Sequence, residues 1–193
     1  TVKIEGSYLA GQSAVLYDMK QVVSKDTTIV NLISILGVLL VLLIAFRSLS
    51  LPVILVFIIE TAIWINLSIS YFAGQQLMYI GYLIIGTVQL GATVDYAILM
   101  TNRYLAKRQE LPKLEAMRET LSENISAVLT SAGVLAAAGF CLAAAAANPI
   151  VSELGSLLGR GTLLSLAMVV LVLPALLLLC DRVIQKTTLK SKS

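Results

Sequence analysis

Long uncharged stretches constrain this chain more than any other feature. No Asp, Glu, Lys or Arg occurs from Thr27 to Phe46, from Asn124 to Ser152 or from Gly161 to Cys180. Between Arg47 and Arg103 only Glu60 and Asp95 interrupt an apolar sequence. A helix needs about 20 mainly apolar residues to cross the hydrocarbon core of a bilayer. The runs are continuously apolar, without the alternation of a barrel strand, and Ala-rich stretches such as Ala143 to Ala147 favour helix. Cutting the middle run at Ala73-Gly74-Gln75-Gln76 gives five spans, at 29–46, 52–72, 77–102, 126–147 and 157–180. Asn148-Pro149 stops the fourth span, and Pro174 is expected to kink the fifth, which neighbouring helices tolerate.

Composition agrees. Apolar residues make up 58% and charged residues 13% of the 193-residue chain, about half the charge of a soluble domain. That excludes a disordered chain and leaves too little polar surface to cover a water-soluble globule. The absence of His removes imidazole-based triads and His-ligated zinc. With no nucleophile–base pair or metal cluster visible, no enzyme, metal, cofactor or nucleic-acid partner is expected. Cys141 and Cys180 fall inside spans and behave as small hydrophobes.

Five spans place the ends of the chain on opposite sides. Ten basic residues then lie on one side: Arg47, Arg103, Lys107, Arg108, Lys113, Arg118, Arg182, Lys186, Lys190 and Lys192. Four lie on the other, namely Lys3, Lys20, Lys25 and Arg160. The positive-inside rule makes the richer side cytoplasmic. The expectation is a multi-pass cell-membrane protein with its N-terminus outside and its C-terminal tail, 183–193, inside. The loop from Tyr104 to Glu123 reads equally as an amphipathic surface helix and as a solvated linker.

Residues 1–27 read differently. Val2-Lys3-Ile4-Glu5 alternates like a strand, Gly6 breaks it, and Gly11 to Val23 reads as a helix. A strand and a helix of this size cannot bury a core alone. This segment is expected to end a larger extracytoplasmic domain, with residues 28–182 forming the membrane domain, so the chain reads as a fragment. The expected fold is an all-α membrane protein with a short extracytoplasmic strand-helix remnant.

The intramembrane acids carry the functional signal. Asp95 lies eight residues before Arg103, and Glu60 eight residues after Pro52. Both sit about 12 Å from the cytoplasmic ends of their helices. Keeping a carboxylate ionised there costs several kcal/mol, and such groups mark proton and ion pathways. Asp95 is the candidate relay, with Tyr96 supplying a hydroxyl beside it. The competing reading is polar packing between helices. Glu60 is either a second relay group or a partner of a neighbour such as Asn66 or Tyr71. Ser126, Thr130 and Ser131 of the fourth span are further candidate partners for the Asp95 proton. Gly91, one turn before Asp95, leaves room for a helix or water. Small residues at intervals of four, Gly133, Ala137, Cys141 and Ala145 and then Gly155 and Gly159, suit close helix packing.

At these residues the chain resembles a known family. Gly91-Ala92-Thr93-Val94-Asp95-Tyr96 resembles the Gly-x-x-x-Asp-Tyr signature in the fourth helix of an RND-superfamily half, especially its MmpL branch. Gly11 to Asp26 looks like the end of a porter domain. The five spans look like helices two to six of a six-helix half. Gly159-Arg160-Gly161-Thr162 and Leu173-Pro174-Ala175-Leu176 resemble the start and end of the last helix. The resemblance implies a proton-motive-force-driven exporter of lipids, drugs or other amphiphiles, powered by the gradient with no cofactor. It gives Asp95 and Tyr96 the titrating role. Its partners would be membrane lipids, an amphiphilic substrate, and the missing first helix, porter domain and other half. The short tail suggests the C-terminal half. A rival from another class is a five-helix sterol-sensing-like module that binds a lipid and regulates without transport. Asp95 favours transport, since a sensor has no need of a titrating acid.

Overall fold

The structure, a computed structural model, describes residues 12–46, 48–73 and 79–187. It contains helices α1 (Gln12–Phe46), α2 (Ser50–Phe72), α3 (Tyr79–Arg108), α4 (Lys113–Ala145), α5 (Pro149–Ala167) and α6 (Leu173–Thr187). A five-residue π segment, Met168–Val172, joins the last two. Among the described residues there is no strand, and five stretches are long and apolar enough to cross a membrane. The fifth runs through α5, the π segment and α6, from Pro149 to Gln185. The chain is an all-α, multi-pass membrane protein. The strand expected at Val2 to Glu5 lies outside the described residues.

Local chemistry sets the helix ends. Asn148 stops being helical and turns outward, and its Oδ1 accepts the Ile150 N–H at 2.9 Å. Pro149 then occupies the first turn, where its missing N–H costs nothing. Pro112 is itself the N-cap of α4, and its carbonyl accepts the Ala116 N–H at 2.9 Å. The loop expected from Tyr104 to Glu123 is almost absent. Residues up to Arg108 finish α3, and residues from Lys113 begin α4. Lys107 Nζ clasps the two helices, 2.7 Å from both Glu119 and Glu123. The surface-helix and plain-linker readings both give way to a tight turn between two long helices.

Pro174 explains the π segment. It cannot donate to the carbonyl of Val170, and its ring crowds that carbonyl. The helix widens instead, and Leu173 N–H bonds to Met168 O, five residues back.

Burial follows helical periodicity. On α2, Leu51, Leu55, Ile58, Ile59, Ala62, Asn66 and Ser70 are buried, whereas Val53, Phe57, Trp64 and Phe72 point outward. α1 is peripheral: Leu42 and Phe46 are buried, and Leu32, Ile33, Leu36 and Leu40 are exposed. Outward apolar side chains are what a bilayer solvates, so helix association here depends on close packing and polar contacts.

The closest packing joins α4 to α5 through glycines. A Cβ on Gly139 would lie 2.6 Å from Gly159 N, and one on Gly155 would lie 2.5 Å from Ala143 N. A Cβ on Gly159 would meet the Phe140 ring at 3.0 Å and Ala136 O at 3.1 Å. The expected seam through Gly133 and Ala137 is corrected by one position. Both residues are exposed, and a Cβ on Gly133 would meet nothing within 4 Å. The buried row is Ala132, Ala136 and Gly139, with Ala143 half-buried.

Candidate functional site

α3 has two polar faces pointing in opposite directions. At about 100° per residue, two positions nearly reverse a side chain's direction. Asp95 and Gly91, one turn apart, are exposed, whereas Gln89 and Thr93 are buried against α2 and α5. Tyr96 is half-buried beside Asp95. Asp95 has no hydrogen bond or ion pair among the described residues. A Cβ on Gly91 would also meet nothing within 4 Å. Asp95 and Gly91 therefore share a surface that these helices leave uncovered.

The expected partners of Asp95 do not gather around it. Ser126, Thr130 and Ser131 are exposed on α4, and Thr130 donates its hydroxyl to the Ser126 carbonyl at 2.8 Å. This is the usual way a helix interior absorbs a lone hydroxyl. Glu60 does not pair with Asn66 or Tyr71. Asn66 is committed elsewhere, and Tyr71 is exposed and stacks edge-on with Phe72. Glu60 is half-buried, and its Oε1 is buried without a hydrogen-bond partner.

The inward face of α3 instead enters a polar network. Asn66 of α2 donates to Gln89 Oε1 at 2.9 Å and to Leu157 O at 3.1 Å. Its carbonyl oxygen accepts from Arg160 Nε at 2.9 Å. Gln89 Nε2 donates to Gly161 O and Ser165 Oγ, both at 3.2 Å. Thr93 Oγ1 lies 2.8 Å from Ser165 Oγ, and Arg160 also donates to Ser70 Oγ. Gly161 makes the crossing possible: a Cβ there would lie 2.5 Å from both Asn66 Nδ2 and Gln89 Oε1.

Arg160, counted among the basic residues of the outer side, lies within a helix. The helix starts at Pro149, so Arg160 lies about 16 Å along it. Among the described residues no carboxylate pairs with this guanidinium. It is held by an amide, a hydroxyl and a carbonyl.

A second cluster closes the opposite end of the bundle. Asp181 is buried at the start of the α6 tail and accepts from Tyr104 Oη at 2.8 Å. Arg108 Nη2 reaches its other oxygen at 3.1 Å. Gln185 Nε2 adds a bond at 3.3 Å.

Sequence reasoning missed both the Gln89–Thr93 network and the Asp181 cluster. The available signal was spacing: Gln89 and Thr93 lie one turn apart, and Arg160 and Gly161 stand one turn before Ser165.

The whole chain carries a family pattern. Residues 6–191 match the profile of the MMPL family. The chain belongs to the MMPL family. It is also similar to the apo-petrobactin exporter of Bacillus anthracis, with 27% identity over 190 residues. That match covers 91% of this chain and 24% of the relative, so the chain spans about a quarter of the relative's length. No solved structure gives a significant match. Family membership and the exporter relative support a transporter-type role for this MMPL chain.

Proposed function

We propose that this MMPL chain is membrane machinery of a proton-driven exporter of lipids, drugs or other amphiphiles, in which Asp95 and Tyr96 carry the proton. One observation supports the relay above all. Asp95 is a carboxylate within an apolar helix, on a face left open by the bundle and free of internal partners. A group locked in a salt bridge could not load and release a proton cheaply. This one can, if water or another protein surface meets it. The first helix, the porter domain and the second half are the natural sources of that surface. The relative's exporter name favours transport over a sterol-sensing regulator and over an enzyme.

Each proton crossing supplies about 2.3 kcal/mol per 100 mV. Protonation of Asp95 from outside and release to the cytoplasm would drive the helices and the outer domain between states. The orientation follows from the basic residues. With Arg160 inside α5, ten remain on the proposed cytoplasmic side and three, Lys3, Lys20 and Lys25, on the other.

The test uses the complete transporter in proteoliposomes with an imposed pH gradient. Asp95→Asn keeps the shape and removes the titrating proton. Gradient-driven efflux of an amphiphilic dye is expected to vanish, and Tyr96→Phe to slow it. Undiminished proton-coupled efflux by Asp95→Asn refutes the relay.

A further inference from the structure

The end of the bundle where α3, α4 and α6 terminate carries a groove of about 450 Å³. Its polar wall is formed by Arg108, Lys113, Asp181 and Arg182, and its apolar wall by Leu178 and Leu179. The charges do not cancel. Asp181 is 6% exposed and fully engaged by Tyr104, Arg108 and Gln185. Arg108 spends its charge on that carboxylate. Lys113 and Arg182 are exposed, and neither makes a hydrogen bond or salt bridge among the described residues, although Lys113 adds to the field acting on Asp181. Arg108, Lys113 and Arg182 together outnumber the single carboxylate Asp181, so the mouth keeps a net positive charge. Glu110 and Glu115, the acids nearest Lys113 in sequence, do not line the groove.

The apolar wall faces the bilayer. Leu179 is 79% exposed, and both leucines belong to the membrane-crossing stretch Pro149–Gln185. Lys113 begins α4 ahead of the uncharged run that starts at Asn124, so it stands on the water side. The groove therefore straddles the membrane–water boundary, with hydrocarbon contact on one side and net positive charge on the other. Its ligand has to be anionic at one end and apolar at the other.

We propose that this groove binds the headgroup of an anionic phospholipid, with the phosphate between Lys113 and Arg182 and an acyl chain along Leu178 and Leu179. The buried Asp181–Arg108 pair fixes the back wall, so Lys113 and Arg182 are held by helices rather than by a loose tail. Basic pockets between membrane helices recognise lipid headgroups by this chemistry. The site depends on the chain spanning a membrane and not on the Asp95 relay, so its failure leaves the transport reading untouched.

The test is lipid retention by the complete protein. It is purified from nanodiscs holding equal phosphatidylglycerol and phosphatidylcholine, and bound lipid is measured by native mass spectrometry. Wild type is expected to retain phosphatidylglycerol preferentially. The pair Lys113→Gln and Arg182→Gln is expected to reduce that preference about thirty-fold, two basic residues each contributing about five-fold. Lys113→Arg with Arg182→Lys keeps the charges and is expected to keep the preference. The pair Arg103→Gln and Arg118→Gln, the same charge change outside the groove, is expected to leave it intact. Equal retention of both lipids overturns the site, as does equal loss with that second pair, which would mean attraction by bulk charge. Displacement of the lipid by an equal concentration of inorganic phosphate also overturns it, because the site would then read an anion and not a phospholipid. The thermal unfolding midpoint of each variant serves as the folding control. A double variant that unfolds early is replaced by the single variants, each expected to lose about five-fold.

Discussion

Gly155→Ala tests the packing between α4 and α5 most directly. The added methyl would lie 2.5 Å from Ala143 N, 2.7 Å from Gly139 O and 3.0 Å from Ala143 Cα. These are backbone atoms on the facing helix, so no side chain can swing aside. Ordinary contact begins at 3.4 Å, so the helices must separate by about 1 Å at this level. Overpacking of this kind costs about 1–3 kcal/mol, and the absence of any flexible neighbour places this case near the top. Ala is about 1 kcal/mol better than Gly in a helix, so the net loss is about 2 kcal/mol. Gly133→Ala gains the same propensity and meets nothing within 4 Å, so it is neutral or mildly stabilising. Gly159→Ala falls between them, because the Phe140 ring that it meets at 3.0 Å can shift. The assay is equilibrium unfolding of the purified protein by SDS in mixed micelles. Gly155→Ala and Gly133→Ala within 0.5 kcal/mol of each other, roughly the spread of neutral surface changes, would refute the seam.

Gln89→Leu is expected to destabilise by about 1–3 kcal/mol in the same assay, because it removes three buried hydrogen bonds, with Asn66 Nδ2, Gly161 O and Ser165 Oγ. Arg108→Gln is expected to cost more than Lys107→Gln. The first abandons a carboxylate whose side chain is 8% exposed, while the second leaves two carboxylates that are half-exposed and worth about 0–1 kcal/mol; a larger loss from Lys107→Gln would contradict that ordering. In the complete protein lacking Cys141 and Cys180, Gly91→Cys is expected to react with a charged, membrane-impermeant thiol reagent. Labelling by apolar reagents alone would show that the Asp95 face is dry.

The membrane spans were legible because a bilayer imposes a crude rule on charge, and the runs between charges obey it. Their ends were less so. Hydropathy reports where a helix enters lipid, not where it stops hydrogen-bonding. α4 continues to Lys113, well beyond its apolar part, because Lys107 anchors Glu119 and Glu123 as helical residues. Arg160 shows the same limit: Asn148 and Pro149 start the helix before the apolar run resumes, so Arg160 lies well within it.

Which face of a helix packs was not legible where composition is uniform. From Ala132 to Ala145 most positions on α4 are small, so a row through Gly133 and one through Ala132 look equally suitable. The choice is made from the other side, by Gly155 and Gly159 on α5, which offer their backbones to Gly139, Ala143 and Ala136. Close approach is decided jointly by two helices, and a single-helix pattern carries half of it.

The two polar faces of α3 have different physical consequences. Gln89 and Thr93 are neutral, buried and saturated by Asn66, Gly161 and Ser165. Such a network holds α2, α3 and α5 in one arrangement, because each displaced bond leaves an unpaired group away from water. Asp95 is ionisable, exposed and unpartnered. A charge at that depth against hydrocarbon costs about 2.5–3.5 kcal/mol even by the lowest scales. A carboxylate that never ionises cannot drive anything. The relay therefore requires that the open face of α3 meet water or another polar surface for part of a cycle. Gly91 keeps that face free of bulk one turn from the acid. Under the proposed relay, a protonation on the outer face would act on α2, α3 and α5 together, because the inner network ties them.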